Sequence, residues 1–141
     1  MLTTVEKVIF LQDVDIFKYT STEDLAHIAE ITDEVEFKAS KPIFKEGEFP
    51  DAMYVVVEGK VSLSRENQEV MVAEQKDAFG TWALFDDEPR VATATSIEDS
   101  RLLKIDKEDF FDLLADHVEI TQSILKVMVK RLRKLMTRIN K

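Results

Sequence analysis

The chain contains no cysteine, and only three glycines and three prolines occur among its 141 residues. Without cysteine it forms neither disulfides nor thiolate metal sites, which is typical of proteins in a reducing cytoplasm. Average usage near 7% would give about ten glycines, so we expect each of the three at a backbone position that other residues do not tolerate. The longest apolar stretch, around residues 53–57, is far shorter than the roughly 20 residues of a membrane-spanning helix. The N-terminus also lacks the basic segment and long apolar core of a secretory signal, so we expect a cytoplasmic protein with no membrane segment.

Motifs of catalysis and metal binding are missing as well. No serine or lysine stands in a nucleophile motif, and the sequence has neither a P-loop nor a calcium-binding loop. His27 and His117 are the only histidines and lie far apart in the sequence, with no cysteine to complete a metal site. We therefore expect no enzyme activity, no metal and no cofactor, and we interpret each histidine as a surface or packing residue.

Charge is abundant, but it is divided unevenly. The net charge is −9, yet residues 126–141 carry seven basic residues and no acidic one, which leaves −16 on residues 1–125. The seven are Lys126, Lys130, Arg131, Arg133, Lys134, Arg138 and Lys141. An acidic body with a basic end predicts a helix whose charge has a partner within the molecule or outside it. Nucleic acid is a poor candidate for that partner, because the acidic body would repel phosphate.

The apolar pattern divides the chain into three parts. Residues 1–33 have helical spacing, with Thr22 as the predicted N-cap of a helix. From Glu34 to about Ile105, apolar and polar residues alternate between turns, which predicts seven or eight short strands. Residues 107–141 are helical again. The predicted fold class is therefore mainly β with flanking helices: an eight-stranded antiparallel jelly roll (a double-stranded β-helix) over residues 34–106, because almost no room exists for the helices of parallel βαβ units.

A long helix is predicted from about Val118 to Ile139. One stripe along it has the 4-3-4-3-4 spacing of a coiled-coil seam; its members are Thr121, Leu125, Met128, Leu132, Leu135 and Ile139. The apolar residues beside the stripe fit a helix packed on its own barrel; they are Ile120, Ile124 and Val127. The pattern leaves open both self-association through residues 118–139 and packing within the chain.

Residues 79–94 combine a glycine turn, a short helix and a proline–arginine pair that enters a strand. A helix that begins after Gly80 would leave its first backbone N–H groups free, and such a helix end attracts phosphate. These N–H groups belong to Thr81, Trp82, Ala83 and Leu84. We interpret the Trp82 side chain as part of the core rather than as a platform for a purine.

Arg90 is the residue expected to complete an anion site, because a guanidinium forms bidentate pairs with phosphate. Ala92 and Thr93 are small enough to leave room for a ligand, and Thr93 adds a hydroxyl. The alternative is a capped helix in which Arg90 pairs with a neighbouring acid; the candidates are Asp86, Asp87 and Glu88.

Four landmarks follow one another along the chain: Phe44–Glu48, Met53–Val61, Phe79–Gly80, and a phosphate-binding cassette that continues through Ala83–Leu84 to Pro89–Thr93. At this spacing the chain resembles the cyclic nucleotide-binding domains of kinase regulatory subunits, ion channels and bacterial catabolite-activator-type regulators. The resemblance covers about residues 10–135 and implies a jelly roll with helices at both ends. It also implies a regulatory domain that binds cyclic AMP or cyclic GMP and signals through its C-terminal helix, often within a longer multidomain protein.

The resemblance also implies which residues contact the ligand. Phosphate contacts are implied for Arg90, Ala92, Thr93, Ala83 and Leu84, and ribose-side contacts for Gly80, Thr81 and Trp82. The family's glutamate, which accepts the ribose 2′-hydroxyl, is replaced here by Thr81, whose side chain is too short to do the same. Loss of such a charge-assisted hydrogen bond, about 1.5–3 kcal/mol, weakens affinity by roughly tenfold to more than a hundredfold. A second hypothesis is therefore a ligand-free module of the same fold that serves dimerisation or interdomain contact.

Overall fold

The computed structural model describes residues 1–139; Asn140 and Lys141, the latter being the last of the seven basic residues, lie outside the described residues. The helices are α1 (Thr4–Leu11), α2 (Thr22–Glu30), α3 (Lys107–Asp116) and α4 (Val118–Ile139). The strands are β1 (Thr32–Phe37), β2 (Pro42–Phe44), β3 (Ala52–Glu58), β4 (Val61–Arg65), β5 (Gln68–Ala73), β6 (Ala78–Phe79), β7 (Thr93–Ser96) and β8 (Ser100–Asp106). Two short 3₁₀ helices span Asp15–Phe17 and Thr81–Leu84.

The eight strands form two four-stranded sheets with the orders β1-β8-β3-β6 and β2-β7-β4-β5. Every pairing is antiparallel, which confirms the predicted jelly roll with flanking helices. One predicted limit is corrected. Strand β1 begins at Thr32 rather than Glu34, because Thr32 already pairs with Ile105 of β8.

Strand β3 is buried on both faces, which explains the apolar run in this part of the sequence. One face contributes to a helical core between its sheet and the helices through Met53, Val55 and Val57. The other face contributes to a barrel core between the two sheets through Ala52, Tyr54 and Val56. Successive strand residues point to opposite faces, so a strand covered on both sides has a continuous apolar sequence.

Side-chain caps determine where the first two helices begin. Helix α1 has a capping box, in which Thr3 accepts a hydrogen bond from the Glu6 N–H and Glu6 accepts one from the Thr3 N–H. Helix α2 is capped by Ser21, whose Oγ accepts a hydrogen bond from the Asp24 N–H at 3.1 Å. The prediction of Thr22 as N-cap is therefore wrong by one residue; Thr22 is the first residue of the helix.

Helix α4 has the predicted bounds, and only its first half packs on the rest of the chain. The residues beside the stripe, Ile120, Ile124 and Val127, are buried, whereas every residue from Val129 to Ile139 is exposed. Most of the stripe is therefore exposed: Leu125, Leu132, Leu135 and Ile139. Within residues 1–139, no helix has both the length and the apolar character needed to span a membrane.

Part of the basic charge on α4 has a partner in the N-terminal segment. Arg131 forms an ion pair with Asp15. The ammonium groups of Lys126 and Lys130 lie 4.7 and 5.3 Å from the centre of the Tyr19 ring, within the range of a cation–π interaction. These contacts join the C-terminal helix to the turn between α1 and α2.

Candidate functional site

Gly80 makes the sharp transition from β6 to the 3₁₀ helix Thr81–Leu84. Its φ angle of 70° is in the left-handed region, which glycine adopts at little cost. A Cβ atom at this position would lie 2.8 Å from Nη1 of Arg90 and 3.5 Å from the carbonyl oxygen of Ala52. The glycine therefore permits both the turn and the close approach of the Arg90 guanidinium.

The helix that follows Gly80 has a different form from the predicted one. It is a 3₁₀ helix of four residues, in which the Ala83 N–H donates a hydrogen bond to the Gly80 carbonyl at 3.1 Å. The expected row of four free N–H groups is therefore not formed, because the Ala83 N–H is used within the turn.

The Arg90 side chain is buried, with only 4% of it exposed. Its Nη2 donates hydrogen bonds to the carbonyl oxygen of Ala52 at 2.7 Å and to Oδ1 of Asp51 at 3.2 Å. The guanidinium carbon lies 3.9 Å from the centre of the Phe44 ring, which is a cation–π contact. Its Nε is buried and has no hydrogen-bond partner among the described residues. Arg90 is thus fixed in position while one of its donors is unused.

The charge of Arg90 is only partly compensated. Burial lowers the pKa of Arg90 from its ordinary value, and the charge of Asp51 opposes this effect. The Asp51 side chain is 59% exposed, so water weakens its attraction for the guanidinium. A buried cation with a lowered pKa and an unpartnered N–H is stabilised by an added anion.

The acidic residues next to Arg90 in sequence do not pair with it. Instead, Oδ1 of Asp87 lies 2.6 Å from Nζ of Lys107 at the start of α3, and the same ammonium group donates to the backbone oxygen of Asp86. The alternative prediction, in which Arg90 pairs with one of Asp86, Asp87 or Glu88, is therefore wrong. Asp86 and Glu88 nevertheless line the same cavity as Arg90.

Arg90 lies in the wall of a cavity of about 550 Å³, a size that suits a small-molecule ligand. Most of the wall is apolar, and the buried cation is supplied by Arg90. The residues around it are Phe44, Pro50, Leu63, Arg65, Val70, Met71, Gly80, Trp82, Ala83, Asp86, Glu88, Pro89, Arg90, Val91 and Ala92. Arg65, Asp86 and Glu88 add further charged groups to the wall. A mostly apolar cavity with a buried guanidinium in its wall can hold an organic anion through that charge and cover the rest of the ligand's surface.

Five of the eight predicted contact residues line this cavity: Gly80, Trp82, Ala83, Arg90 and Ala92. The other three lie elsewhere. The side chain of Leu84 is buried in the helical core. Thr93 Oγ1 accepts a hydrogen bond from the Glu46 N–H at 3.0 Å. Thr81 lines a neighbouring groove rather than the cavity.

Trp82 is not a core residue, so the predicted packing role is wrong. It is 69% exposed and lines both the Arg90 cavity and a groove of about 400 Å³ against helix α4. The α4 residues in that groove include Ile124, Leu125 and Met128. The short turn leaves Trp82 between the cavity and the C-terminal helix, a position that its local apolar pattern does not reveal.

The part of the cavity wall that strands β4 and β5 supply was not predicted from the sequence. It comprises the apolar residues Leu63, Val70 and Met71 together with Arg65. Val70 and Met71 are 58% and 45% exposed. Two exposed apolar residues after a tight turn were the only signal in the sequence, and it is a weak one.

The two histidines form a second cluster of polar side chains away from the cavity. Their rings are stacked with centroids 4.1 Å apart, although His27 is on α2 and His117 caps the end of α3. Asp24 lies beside them. Both histidines are half-buried, which agrees with the interpretation of each as a surface or packing residue. The sequence did not predict that the two rings meet, because the packing of α2 on the α3–α4 junction brings them together.

Comparisons of the sequence with a family profile and with known proteins indicate the same family. The sequence profile of the cyclic nucleotide-binding domain matches residues 34–117. The chain is 29% identical over 124 residues to the CRP-like cAMP-activated global transcriptional regulator of Mycobacterium tuberculosis, a match that covers 84% of this chain and 55% of that protein. It is 30% identical over 109 residues to the cAMP-dependent protein kinase regulatory subunit of Dictyostelium discoideum, with 72% of this chain and 33% of that protein covered. The matched region is thus about half or less of the length of these relatives.

A solved structure supports the same assignment. The N-terminal domain of a transcriptional regulator from Streptomyces coelicolor A3(2) superposes with a TM-score of 0.84 at 30% sequence identity. The match covers 89% of this chain and 94% of that domain. The similarity therefore extends beyond the sheets to the flanking helices.

Proposed function

The chain belongs to the cyclic nucleotide-binding domain family, and we propose that it is a regulatory domain, not an enzyme, whose cavity binds the phosphate of a cyclic nucleotide or a related small phosphate ligand at Arg90. Cyclic AMP and cyclic GMP are the first candidates, because both the M. tuberculosis and the D. discoideum relatives carry cAMP in their names. A cytoplasmic location and a place within a longer multidomain protein are parts of the same proposal.

The observation that carries this proposal is the state of Arg90. Its guanidinium is buried and held by Ala52 and Phe44, and its Nε has no hydrogen-bond partner among the described residues. Arg90 also lines a cavity large enough for a nucleotide. Holding a charged group in this way costs stability unless an anion compensates for it. A phosphate bound beside the guanidinium would supply that compensation, while the apolar wall would cover the base and sugar.

We propose that Trp82 couples ligand binding in the cavity to the position of helix α4. This side chain lines both the Arg90 cavity and the groove against α4. A ligand that moves this turn would also move Trp82, which lines the groove together with Leu125 and Met128 of α4. Helix α4 is long and only half packed, so its orientation is the property that such a change would alter.

A thermal-shift series tests the binding proposal. The chain is heated alone and with about 1 mM cyclic AMP, cyclic GMP, non-cyclic AMP or inorganic phosphate. A ligand present at about 100 times its dissociation constant adds about 2.7 kcal/mol to the free energy of unfolding, which for a chain of this size raises Tm by roughly 8 °C. We expect the largest rise with a cyclic nucleotide. A rise in Tm with inorganic phosphate alone would indicate that the ligand is a simple anion rather than a nucleotide. No rise with any of the four compounds would contradict the proposal.

The exposed stripe of α4 supports a second candidate, a module that dimerises through this helix whether or not a ligand binds. The partner would be a second copy of the chain, because the stripe has coiled-coil spacing and its second half, Leu132, Leu135 and Ile139, is exposed. Six basic side chains on each helix would repel across such a seam; they are Lys126, Lys130, Arg131, Arg133, Lys134 and Arg138.

Sedimentation at increasing salt tests this candidate. Salt screens the repulsion between the two basic helices, so the dimer fraction is expected to rise with ionic strength. A strict monomer at high protein concentration and high salt would exclude the homodimer.

A further inference from the structure

Three side chains with metal-ligating atoms converge where helix α2 packs on the junction between α3 and α4. One ligand atom each of Asp24, His27 and His117 lies within 4.8 Å of the others. Asp24 and His27 are three residues apart on α2 and therefore share one face of that helix. His117 comes from the C-terminal end of α3. No motif in the sequence predicts this cluster, because its members come from two distant segments.

The distances are those of a site that closes with small side-chain movements. On a tetrahedral zinc ion with bonds of about 2.0 Å, donor atoms are about 3.3 Å apart, so the cluster must contract by roughly 1.5 Å at most. Two imidazoles and one carboxylate are a common set of ligands for zinc and neighbouring transition metals. The His117 side chain is 26% exposed, which gives an ion a path from solvent.

A fourth group, Glu119 on the first turn of α4, lies at the edge of the cluster. Its Oε1 is 3.5 Å from Nδ1 of His117. A carboxylate in this position orients the imidazole of a metal-bound histidine. Its side chain is 52% exposed, so it adds negative charge to the rim without closing the site.

The charges in the cluster favour a cation. The carboxyl group of Asp24 is buried, and the carboxylate of Glu119 adds a second negative charge at the rim. A divalent cation bound between them would compensate both. Asp24 is buried and lies beside both histidines, so a cation here would compensate it directly.

We propose that Asp24, His27 and His117 bind a divalent transition-metal ion of the zinc type, with Glu119 as the group that orients His117. The bound ion ties helix α2 to the start of helix α4. This site is separate from the Arg90 cavity, and its existence does not depend on whether a nucleotide binds.

Proton NMR of the unaltered chain gives the first test. The chain has two histidines, so it shows two imidazole Hε1 resonances that report on the cluster alone. After treatment with EDTA and dialysis, equimolar Zn²⁺ is expected to shift or broaden both resonances, whereas Mg²⁺, which prefers oxygen ligands, leaves both unchanged. If Zn²⁺ moves neither resonance or only one, the proposal is overturned.

Competition with a chromophoric chelator gives the affinity and the second test. We expect a zinc Kd below about 100 µM for the unaltered chain and a loss of at least tenfold in His27→Gln, His117→Gln and Asp24→Asn. Glu30→Gln is the matched control, because it removes an exposed carboxylate from the same helix outside the cluster, and its affinity is expected to be unchanged. A weaker Kd for the unaltered chain, or a folded His27→Gln variant that binds zinc as tightly as the unaltered chain, overturns the proposal. If a variant does not fold by circular dichroism, the NMR titration decides.

Discussion

Replacing Arg90 with methionine separates the stability of the fold from ligand binding. Methionine has a similar length and no charge, so it removes the buried guanidinium with little change in volume. The variant loses the hydrogen bond to the Ala52 carbonyl at 2.7 Å, at a cost of about 1–3 kcal/mol. It also loses the cation–π contact with Phe44, worth about 0.5–2 kcal/mol.

These losses are offset by removal of the desolvated charge and its unpartnered Nε. Replacing a buried ionic group with an apolar residue is often neutral or stabilising by about 1–4 kcal/mol. Asp51 is left without its partner, but its side chain is 59% exposed and water compensates it. We therefore expect the free energy of unfolding of Arg90→Met, measured in urea, to lie within about 1.5 kcal/mol of the unaltered chain.

Binding responds very differently. Loss of two charge-assisted hydrogen bonds to a phosphate, at about 1.5 kcal/mol or more each, weakens affinity at least a hundredfold. Arg101→Met is the matched control, because Arg101, on β8, pairs with Glu58 of β3 at 2.9 Å and does not line the cavity. Its affinity is expected to be unchanged. If Arg90→Met bound cyclic AMP as the unaltered chain does, or if it failed to fold while Arg101→Met folded, the interpretation of Arg90 as a ligand anchor would be refuted.

Three further substitutions follow from the same geometry. Gly80→Ala forces a left-handed φ on alanine and places a Cβ 2.8 Å from Nη1 of Arg90. We expect the free energy of unfolding in urea to fall by about 1–3 kcal/mol and ligand binding to weaken. Unchanged stability and affinity would contradict the close approach of Arg90 to Gly80. Thr81→Glu restores the carboxylate that the family resemblance implies and is expected to tighten cyclic nucleotide binding by about tenfold or more, while Thr81→Gln gives a smaller gain. Equal affinities of the unaltered chain and both variants would rule out a ribose-side role for this position. Leu132→Glu introduces a charge into the exposed stripe and is expected to shift the sedimenting species towards monomer. Thr137→Glu, on the opposite face of α4, is the control and is expected to leave the monomer–dimer distribution unchanged. An equal shift in both variants would argue against a specific seam.

The fold was largely predictable because its signals are local. Alternation of apolar and polar residues identifies strands with one buried face, and the run in β3 identifies a strand covered on both sides. The bounds of α4 follow from its spacing in the same way. The error at Thr22 is of a different kind, because Ser21 and Thr22 are both good N-caps and only the hydrogen bond from Ser21 to the Asp24 N–H distinguishes them.

The site was predictable only in part, because its electrostatics depend on distant segments. The sequence points to Arg90 and Gly80, but the partner of Arg90 is Asp51 on the loop before β3, 39 residues away. Neighbouring Asp87 is held instead by Lys107, 20 residues further along the chain. Charge pairing between segments so far apart is set by the packing of the sheets, which no local pattern encodes.

The exposure of Trp82 and the contact between the histidines share this cause. A tryptophan at the start of an apolar turn has the pattern of a core residue, and its true position depends on how that turn meets α4. The ring contact between His27 and His117 depends on the packing of α2 against the α3–α4 junction. In both cases the sequence supplies the chemical groups, while the tertiary structure decides what they contact.

Calorimetric titration of the unaltered chain with cyclic AMP and cyclic GMP tests the central claim most directly. If the Arg90 cavity is a nucleotide site, at least one of the two gives saturable heat with a stoichiometry of about one ligand per chain, and non-cyclic AMP binds more weakly. No heat from either nucleotide at millimolar concentration would contradict the claim and leave the fold as a module without this ligand.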